Sequence, residues 1–151
     1  MTDMPIPAPL WRRLAAALYD VLLLLGLWLG ALLVMVIPAG AAELRLPAAL
    51  VRAVLFLLSF GFFGWFWTHG GQTLGMRAWR LQLRRLDGAP LSWPQSMLRF
   101  VAAIPSWGLA GLGMLWCLVD RNRRGWHDLV AGTEVIVLPQ KTPAQPPAPQ
   151  G

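Results

Sequence analysis

The amino-acid sequence predicts an all-α membrane protein with two transmembrane helices, a third apolar segment broken at a proline, and a small cytoplasmic β-ribbon. Two observations support this fold class. Hydrophobic residues make up 56% of the 151 residues and charged residues only 13%, whereas a soluble domain carries roughly 25% charged residues. Three stretches of the chain also lack charge over about 20 residues, the length that a membrane helix needs.

The first two apolar stretches each predict a membrane-spanning helix. Val21–Ala42 forms the first, extended backwards by Leu14–Tyr19. It is too long for the apolar core of a signal peptide, so we expect the mature protein to keep it. Because proline interrupts helices, we expect this helix to end at Pro38. Ala53–Met76 forms the second and is apolar as far as Thr68.

The third apolar stretch, Phe100–Val119, allows two arrangements. Pro105 lies near its beginning, and a corner at Pro105-Ser106 leaves Trp107–Val119 as a helix too short to span comfortably. Either the whole stretch crosses the membrane, or its two pieces form a re-entrant helix pair, which is tolerated when the pair is buried in protein.

The positions of the arginines favour the re-entrant pair. The chain has 13 basic and 7 acidic residues, a net charge of +6, and its arginines lie between the apolar stretches. Basic loops remain in the cytoplasm, which places the amino terminus and segment 77–99 there. Arg121, Arg123 and Arg124 stay on that side only if the third stretch does not cross. We therefore expect the carboxyl terminus in the cytoplasm as well.

Two segments predict the β-ribbon. In Ala78–Leu86, apolar and polar residues alternate with a period of two, and a turn dipeptide, Asp87-Gly88, follows. Gly132–Leu138 has the composition of a second strand, so we expect the two segments to pair. The alternative for Ala78–Arg85 is an interfacial helix.

The chain divides into three parts. Residues 1–10 form an amino-terminal cytoplasmic tail and residues 11–138 form the membrane domain. Residues 139–151 are rich in Pro, Gln and Ala and have no apolar face, so this tail is expected to be disordered.

Asp20 is the most informative single residue, because a carboxylate within an apolar helix is costly and normally faces a partner or a water-filled cavity. Arg13 lies two helical turns earlier on the same face, which is far for a direct contact. Arg52, Arg77 and Arg99 are therefore further candidates to pair with Asp20. One interpretation is a proton or cation site; the other is a structural ion pair.

Two polar segments lie where the predicted spans leave the membrane. The first is Gly70–Arg77, which contains Gly71, Gln72, Thr73 and Gly75; its glycines allow turns and its polar side chains offer hydrogen bonds. The second is Asp120–Thr133, which contains His127, Asp128, Gly132 and Thr133 and pairs acids with arginines. We expect Asp128 to accept hydrogen bonds from the Gly-Gln-Thr segment or to pair with an arginine, and not to act as a catalyst.

Together these pieces resemble the RDD family of small bacterial membrane proteins over about residues 10–138. By motif position, the arginine and two aspartates that name the family correspond to Arg13, Asp20 and Asp128. The resemblance implies a multi-pass protein of the bacterial inner membrane. It implies less about activity, since most members have no assigned biochemical role, although cation/proton exchange has been proposed for some and others look like accessory subunits.

Two functions remain after this comparison. The first is an oligomeric transporter of a small solute or of cations and protons, with a pathway formed by several copies around Asp20 and Arg13. The second is an accessory or scaffold subunit of a larger membrane complex. We expect transport, because a carboxylate at membrane depth is energetically costly and such residues normally serve a function.

Other classes of function have little support in the sequence. Nucleic-acid binding is not expected, because the arginines lie at membrane exits. A single cysteine and two histidines leave little for a metal centre, and no cofactor is expected. His127-Asp128 lacks a serine or cysteine nucleophile nearby, so we do not expect an enzyme. The expected partners are the lipid bilayer and further copies of the chain or other membrane proteins.

Overall fold

Two long helices dominate the fold. The computed structural model describes residues 6–42 and 45–139, and in it α1 covers Leu10–Ala41 and α2 covers Ala48–Thr68. Both helices are long and apolar enough to cross a membrane. The most apolar stretch of α1 has no residue buried inside the protein, so its large side chains form an exposed apolar surface.

The first helix does not end at Pro38, as the sequence had predicted, but continues to Ala41. A proline removes one backbone hydrogen bond and clashes with the preceding turn, which is tolerable so close to a helix end. The last turn is still closed by the Ala42 N–H, which donates to the Pro38 carbonyl at 3.0 Å.

After α2 the chain forms the short helix α3 (Leu74–Ala78) and the strand β2 (Leu81–Arg85). β2 pairs antiparallel with β3 (Thr133–Val137), with Leu81 opposite Val137 and Arg85 opposite Thr133. The predicted pairing of these segments is confirmed, and the alternative of an interfacial helix over the β2 segment is wrong. The structure keeps the alternation, because Leu81 and Leu83 lie in the core while the side chains of Gln82 and Arg84 are partly exposed.

A third strand joins the ribbon. β1 (Ile6–Pro7) pairs antiparallel with the other edge of β3, so the strand order is β1-β3-β2. The sequence predicts only a tail over residues 1–10, because two residues are too few to show a period, and for Ile6–Pro7 this prediction is wrong. A backbone hydrogen bond of 2.9 Å from Ala8 to Val135 extends the contact.

The third apolar stretch is a bent helix pair. α4 covers Trp93–Gly108, and α5 (Leu112–Leu115) with a 3₁₀ turn at Trp116–Leu118 leaves it at 105°. The predicted corner at Pro105 is wrong, because α4 continues through that proline. The chain bends instead at residues 109–111, where Ala110 (φ 51°) and Gly111 (φ 76°) have left-handed backbone conformations.

The last helix, α6 (Trp126–Ala131), packs against α4 and leads directly into β3. The core lies where the first turns of α1, the end of α2, α3 and the sheet meet, and it contains Ala16, Trp67, Met76, Leu81, Leu83 and Val135. The predicted disordered tail, 139–151, lies outside the described residues except for Pro139.

Candidate functional site: two buried carboxylates

The Gly71–Gly75 segment is held against β2 by its own backbone and side chains. Gly71 has a φ of 68°, and its carbonyl accepts a 2.7 Å hydrogen bond from the Leu83 N–H. A Cβ atom at Gly71 would collide with the Leu83 carbonyl oxygen. The Gln72 side chain donates to the Leu81 carbonyl at 2.6 Å. The contacts of Gly71 and Gln72 therefore orient the next two hydrogen-bond donors of the segment, the Thr73 hydroxyl and the Gly75 N–H.

Those two groups bind Asp20. The Thr73 hydroxyl donates to one carboxylate oxygen of Asp20 at 2.5 Å, and the Gly75 N–H donates to the other at 2.9 Å. Thr73 also caps α3, since its oxygen accepts from the Met76 N–H at 3.2 Å. Asp20 is 4% exposed, and among the described residues no basic nitrogen lies within ion-pair distance of it.

Glycine at position 75 is required by the close approach of α3 to α1. A Cβ atom there would collide with the Ala16 carbonyl oxygen and would lie 3.0 Å from the Asp20 carboxyl carbon. Ala16, itself buried, occupies the turn between Arg13 and Asp20. Small residues on both helices therefore allow a backbone N–H to reach a carboxylate that stands about ten residues into α1.

Asp128 forms the second carboxylate site and has very different partners. Arg13 donates to one of its oxygens at 2.7 Å, Arg99 forms an ion pair with the other, and the Gly125 N–H donates at 2.9 Å. Asp128 is fully buried, and both arginines are at most 5% exposed. Helices α1, α4 and α6 thus converge on one carboxylate.

Three neighbours complete the Asp128 site. Gly132 adopts the left-handed conformation (φ 63°) that ends α6 and turns the chain into β3. This places the buried Thr133 hydroxyl where Arg99 donates to it at 2.7 Å. The Arg99 guanidinium also lies over the Trp67 ring, 5.1 Å from its centroid. His127 is buried, 3.8 Å from Asp128.

These surroundings fix the charges of His127 and Asp128. Burial, reinforced by the Arg99 charge, lowers the pKa of His127 from 6.5 to about 4, so the imidazole is neutral at pH 7. Burial alone would raise the pKa of Asp128, but the Arg99 and Arg13 guanidiniums hold that pKa well below its ordinary value. Asp128 is therefore charged at any physiological pH.

A cavity of about 500 Å³ connects the two sites. It lies between α1, α2 and α4, and Arg13, Asp20, Thr73, Arg99 and His127 stand at its polar end. The remaining walls are almost wholly apolar and include Leu24, Trp28, Phe63, Phe100, Ile104 and Trp107. Within residues 6–42 and 45–139, no cluster of three acidic, histidine or cysteine side chains is placed to hold a metal ion.

The two carboxylates bind the opposite partners from those that the sequence predicts. None of Arg13, Arg52, Arg77 and Arg99 pairs with Asp20, and the Gly-Gln-Thr segment binds Asp20 instead of Asp128. The expected hydrogen bonds from the Gly-Gln-Thr segment to Asp128 are therefore wrong, and the alternative, an arginine partner for Asp128, is confirmed. Sequence order does not show which carboxylate binds which donors, because the carboxylates and the donor segments meet only in the folded chain.

A comparison with protein families identifies the chain. The model of the RDD family matches residues 7–132. The chain belongs to the RDD family. No curated protein and no solved structure matches the chain.

Membership in the RDD family gives meaning to the positions of the three residues that resemble its name-giving set. Arg13 and Asp128 form one site, and Asp20, which lines the same cavity as Arg13, forms the other. The sequence predicts Arg99 as a candidate partner of Asp20. In the structure Arg99 instead forms the second ion pair with Asp128, beside that of Arg13. The available signal was spacing: Ser96, Arg99 and Ser106 are all buried on one face of α4.

Proposed function

We propose that this chain is a multi-pass protein of the bacterial cytoplasmic membrane and that it moves a small solute, or a cation, in exchange with or together with protons. Family membership and the two long apolar helices support the membrane location. An exposed apolar surface of this extent is unfavourable in water and marks contact with lipid or protein.

The sheet supports a topology in which both ends of the chain are cytoplasmic. β1 precedes α1, β2 follows α2, and β3 follows the bent pair, yet the three strands share one sheet. Segments joined by backbone hydrogen bonds lie on the same side of a membrane. The bent helix pair therefore returns to the side from which it enters, as a re-entrant element does, and Arg121, Arg123 and Arg124 remain with the other basic segments.

Cysteine labelling tests this topology. In a Cys117→Ala background, we expect Arg45→Cys to react with an impermeant maleimide in intact spheroplasts. Asp87→Cys and Asn122→Cys should react only after permeabilisation. Labelling of position 122 from outside would contradict the re-entrant arrangement and indicate a third full crossing.

The observation that carries the transport proposal is the environment of Asp20. Its carboxylate is buried on a cavity and is held by two uncharged donors, the Thr73 hydroxyl and the Gly75 N–H. No cation among the described residues holds it in one charge state. A buried carboxyl group of this kind can take up and release a proton or a small cation, whereas Asp128, fixed between two guanidiniums, cannot.

We propose further that the working unit is a homo-oligomer. Two helices and a re-entrant pair enclose too little volume for a pathway, and the apolar stretch of α1 is unburied in one copy. Gly26 and Gly30 form a small-residue pair on α1, and a Cβ atom at either would meet nothing within 4 Å. Helices associate in membranes through such small residues.

We also propose that the chain is not an enzyme and needs no cofactor. His127 is neutral and Asp128 is held by Arg13 and Arg99, so this pair has no free group to activate a nucleophile. Cys117, the single thiol of the chain, is buried.

Proton-coupled flux in proteoliposomes tests the transport role. We expect Asp20→Asn to give a folded protein of unchanged oligomeric state that no longer dissipates or uses a proton gradient, measured with an entrapped pH dye during addition of Na⁺, K⁺ and candidate solutes. Thr73→Ser, which keeps the hydroxyl donor, is the matched control and should keep flux. Undiminished flux in Asp20→Asn would contradict the proposal.

Native mass spectrometry of the protein purified in mild detergent separates transport from the accessory role. A closed homo-oligomer supports transport. Stoichiometric co-purification of a foreign membrane protein, combined with absence of flux by the purified chain, would instead support an accessory subunit.

A further inference from the structure

We propose that the cavity between α1, α2 and α4 binds a single-chain fatty acid, with its carboxylate at Arg13 and its acyl chain along the apolar walls. This inference goes beyond the transport proposal, because a fatty acid can occupy the cavity whether or not Asp20 carries protons. Its basis is the combination of one apolar cavity and one basic, incompletely paired end.

The size and walls of the cavity fit one acyl chain. Its volume of about 500 Å³ lies within the roughly 300–1,000 Å³ of ordinary ligand pockets. The walls distant from the arginines are aliphatic and aromatic, and they offer one polar link, the 3.0 Å hydrogen bond from Trp28 to Ser59, which is already satisfied. An extended hydrocarbon chain has no polar group along its length and therefore needs no further hydrogen-bonding partner on these walls.

The opening faces the apolar surface of the protein. Val21 on α1 and Ile104 and Trp107 on α4 line the cavity and are 44% exposed or more. In contrast, Arg13 and Arg99 at the polar end are nearly buried. A ligand therefore enters from the lipid side, and its polar group must be small enough to fit at a buried end, as a carboxyl group is and a phospholipid headgroup with its glycerol is not.

Arg13 supplies the binding group. The Arg13 guanidinium lies at the polar end of the cavity, and one of its nitrogens donates to Asp128. Nε and Nη1 are buried without an oxygen or nitrogen acceptor among the described residues, beside the Cys117 thiol, which is only a weak acceptor; Nε of Arg99 also has no partner. Buried N–H groups of arginine are normally paired. A carboxylate oxygen is the acceptor that guanidinium N–H groups prefer, and the pair is charge-assisted.

The charge at the polar end also calls for an anion. Arg13 and Arg99 together carry two positive charges, and Asp128 carries one negative charge, while His127 is neutral. One positive charge is left, and among the described residues that line the cavity Asp20 is the one with a carboxyl group. A ligand carboxylate and a charged Asp20 therefore compete, so fatty-acid binding is linked to loss of the Asp20 charge.

The first experiment compares palmitate with hexadecanol, which has the same chain without the charge. The full-length protein in a mild detergent is titrated with each and analysed by native mass spectrometry. We expect one palmitate per chain, bound at least tenfold more tightly than hexadecanol. Equal affinities would overturn the assignment of the carboxylate to Arg13, and preferential retention of phosphatidylglycerol over palmitate would overturn the single-chain assignment.

The second experiment fills the cavity. Ala103 lines the cavity and Val101, on the same helix, is exposed and does not. We expect Ala103→Trp to lower palmitate affinity at least tenfold and Val101→Trp to leave it unchanged. If Ala103→Trp fails to fold, Ala17→Phe on the opposite wall replaces it. Equal affinity in a folded cavity-filling variant and its control would refute this location.

The third experiment uses the competition with Asp20. We expect Asp20→Asn to bind palmitate roughly three- to tenfold more tightly, since a negative charge near the ligand is removed, and to bind hexadecanol as before. Weaker palmitate binding would contradict the charge argument. Palmitate binding without any flux of the wild-type protein would leave this inference intact and refute the transport proposal, so the two fail separately.

Discussion

Asp20 and Asp128 are both buried carboxylates. Asp20 and the Asp128 partners Arg13 and Arg99 line the same cavity, yet the groups that bind the two carboxylates differ in charge. Asp20 accepts from a hydroxyl and a backbone N–H, whereas Asp128 lies between two guanidiniums. A neutral side chain in place of Asp20 leaves no unpaired charge, whereas a neutral side chain in place of Asp128 leaves two buried guanidiniums without a counter-charge. Burial alone therefore does not make the two carboxylates alike: Asp128 joins α6 to arginines of α1 and α4, whereas Asp20 is held by neutral donors of one segment.

Asp128→Asn should have the largest effect on stability. It leaves Arg13 and Arg99 buried without a counter-charge, and breaking a buried pair in this way costs about 3–5 kcal/mol. We expect a large fall in melting temperature in detergent, or loss of monodisperse protein. The double variant Asp128→Asn with Arg13→Met should recover part of the loss. A melting temperature equal to that of the wild type would show that this cluster does not hold the helices together.

Acid should destabilise the protein through His127. Its pKa is about 4 in the folded chain and 6.5 when exposed, so the unfolded chain binds the extra proton between these values. The free energy of unfolding has its full value above pH 6.5. It falls as the pH drops toward 4 and is lower by about 2 kcal/mol at pH 5. Asp128 stays charged in this window, because its pKa is lowered further.

The measurement is the melting temperature at pH 7.5 and at pH 5 for the wild type and for His127→Gln. The variant should show a flatter dependence on pH. The same slope in both proteins would mean that another group causes the acid sensitivity.

Gly75→Ala should destabilise the Asp20 site, because the new methyl group collides with the Ala16 carbonyl and separates α3 from α1. Overpacking of this kind costs about 1–3 kcal/mol. Gly61→Ala is the control: Gly61 lies in open space on α2, and the change should be neutral or slightly stabilising. Equal melting temperatures for the two variants would contradict the close contact between the helices.

Asp20→Asn should lower stability by about 1 kcal/mol, since the amide oxygen still accepts from the Gly75 N–H and the Thr73 hydroxyl can accept from the amide NH2 instead of donating. The expected melting temperature is close to that of the wild type and well above that of Asp128→Asn. A loss as large as that of Asp128→Asn would remove the distinction between the two sites and make Asp20 a structural residue.

Glu134→Gln should have the smallest effect. Arg84 and Glu134 form a 2.8 Å ion pair between β2 and β3, but their side chains are 27% and 19% exposed. Ion pairs in contact with water contribute about 0–1 kcal/mol. A loss comparable to that of Asp128→Asn, measured in the same thermal assay, would show that exposure does not separate the two kinds of pair.

Much of the architecture could be predicted from the sequence, because it depends on local properties. Runs of apolar residues predict α1 and α2, and a period of two predicts β2. Misplaced boundaries came from prolines: Pro38 and Pro105 both lie inside helices, where neighbouring turns tolerate the one missing hydrogen bond. β1 was missed, since its two residues form a strand only because the edge of β3 is available.

By itself, the sequence determined the family, the apolar helices and the residues that matter: Arg13, Asp20, Thr73, Gly75 and Asp128 can all be named from their motifs. Only the tertiary structure decided which of these residues bind one another. Arg13 and Asp128 are 115 positions apart and Asp20 and Thr73 are 53 apart. Charge attraction does not depend on sequence order, so either aspartate could have taken the arginines. The small residues that bring α3 onto α1 give Asp20 its neutral donors, and the convergence of α4 and α6 gives Asp128 its guanidiniums.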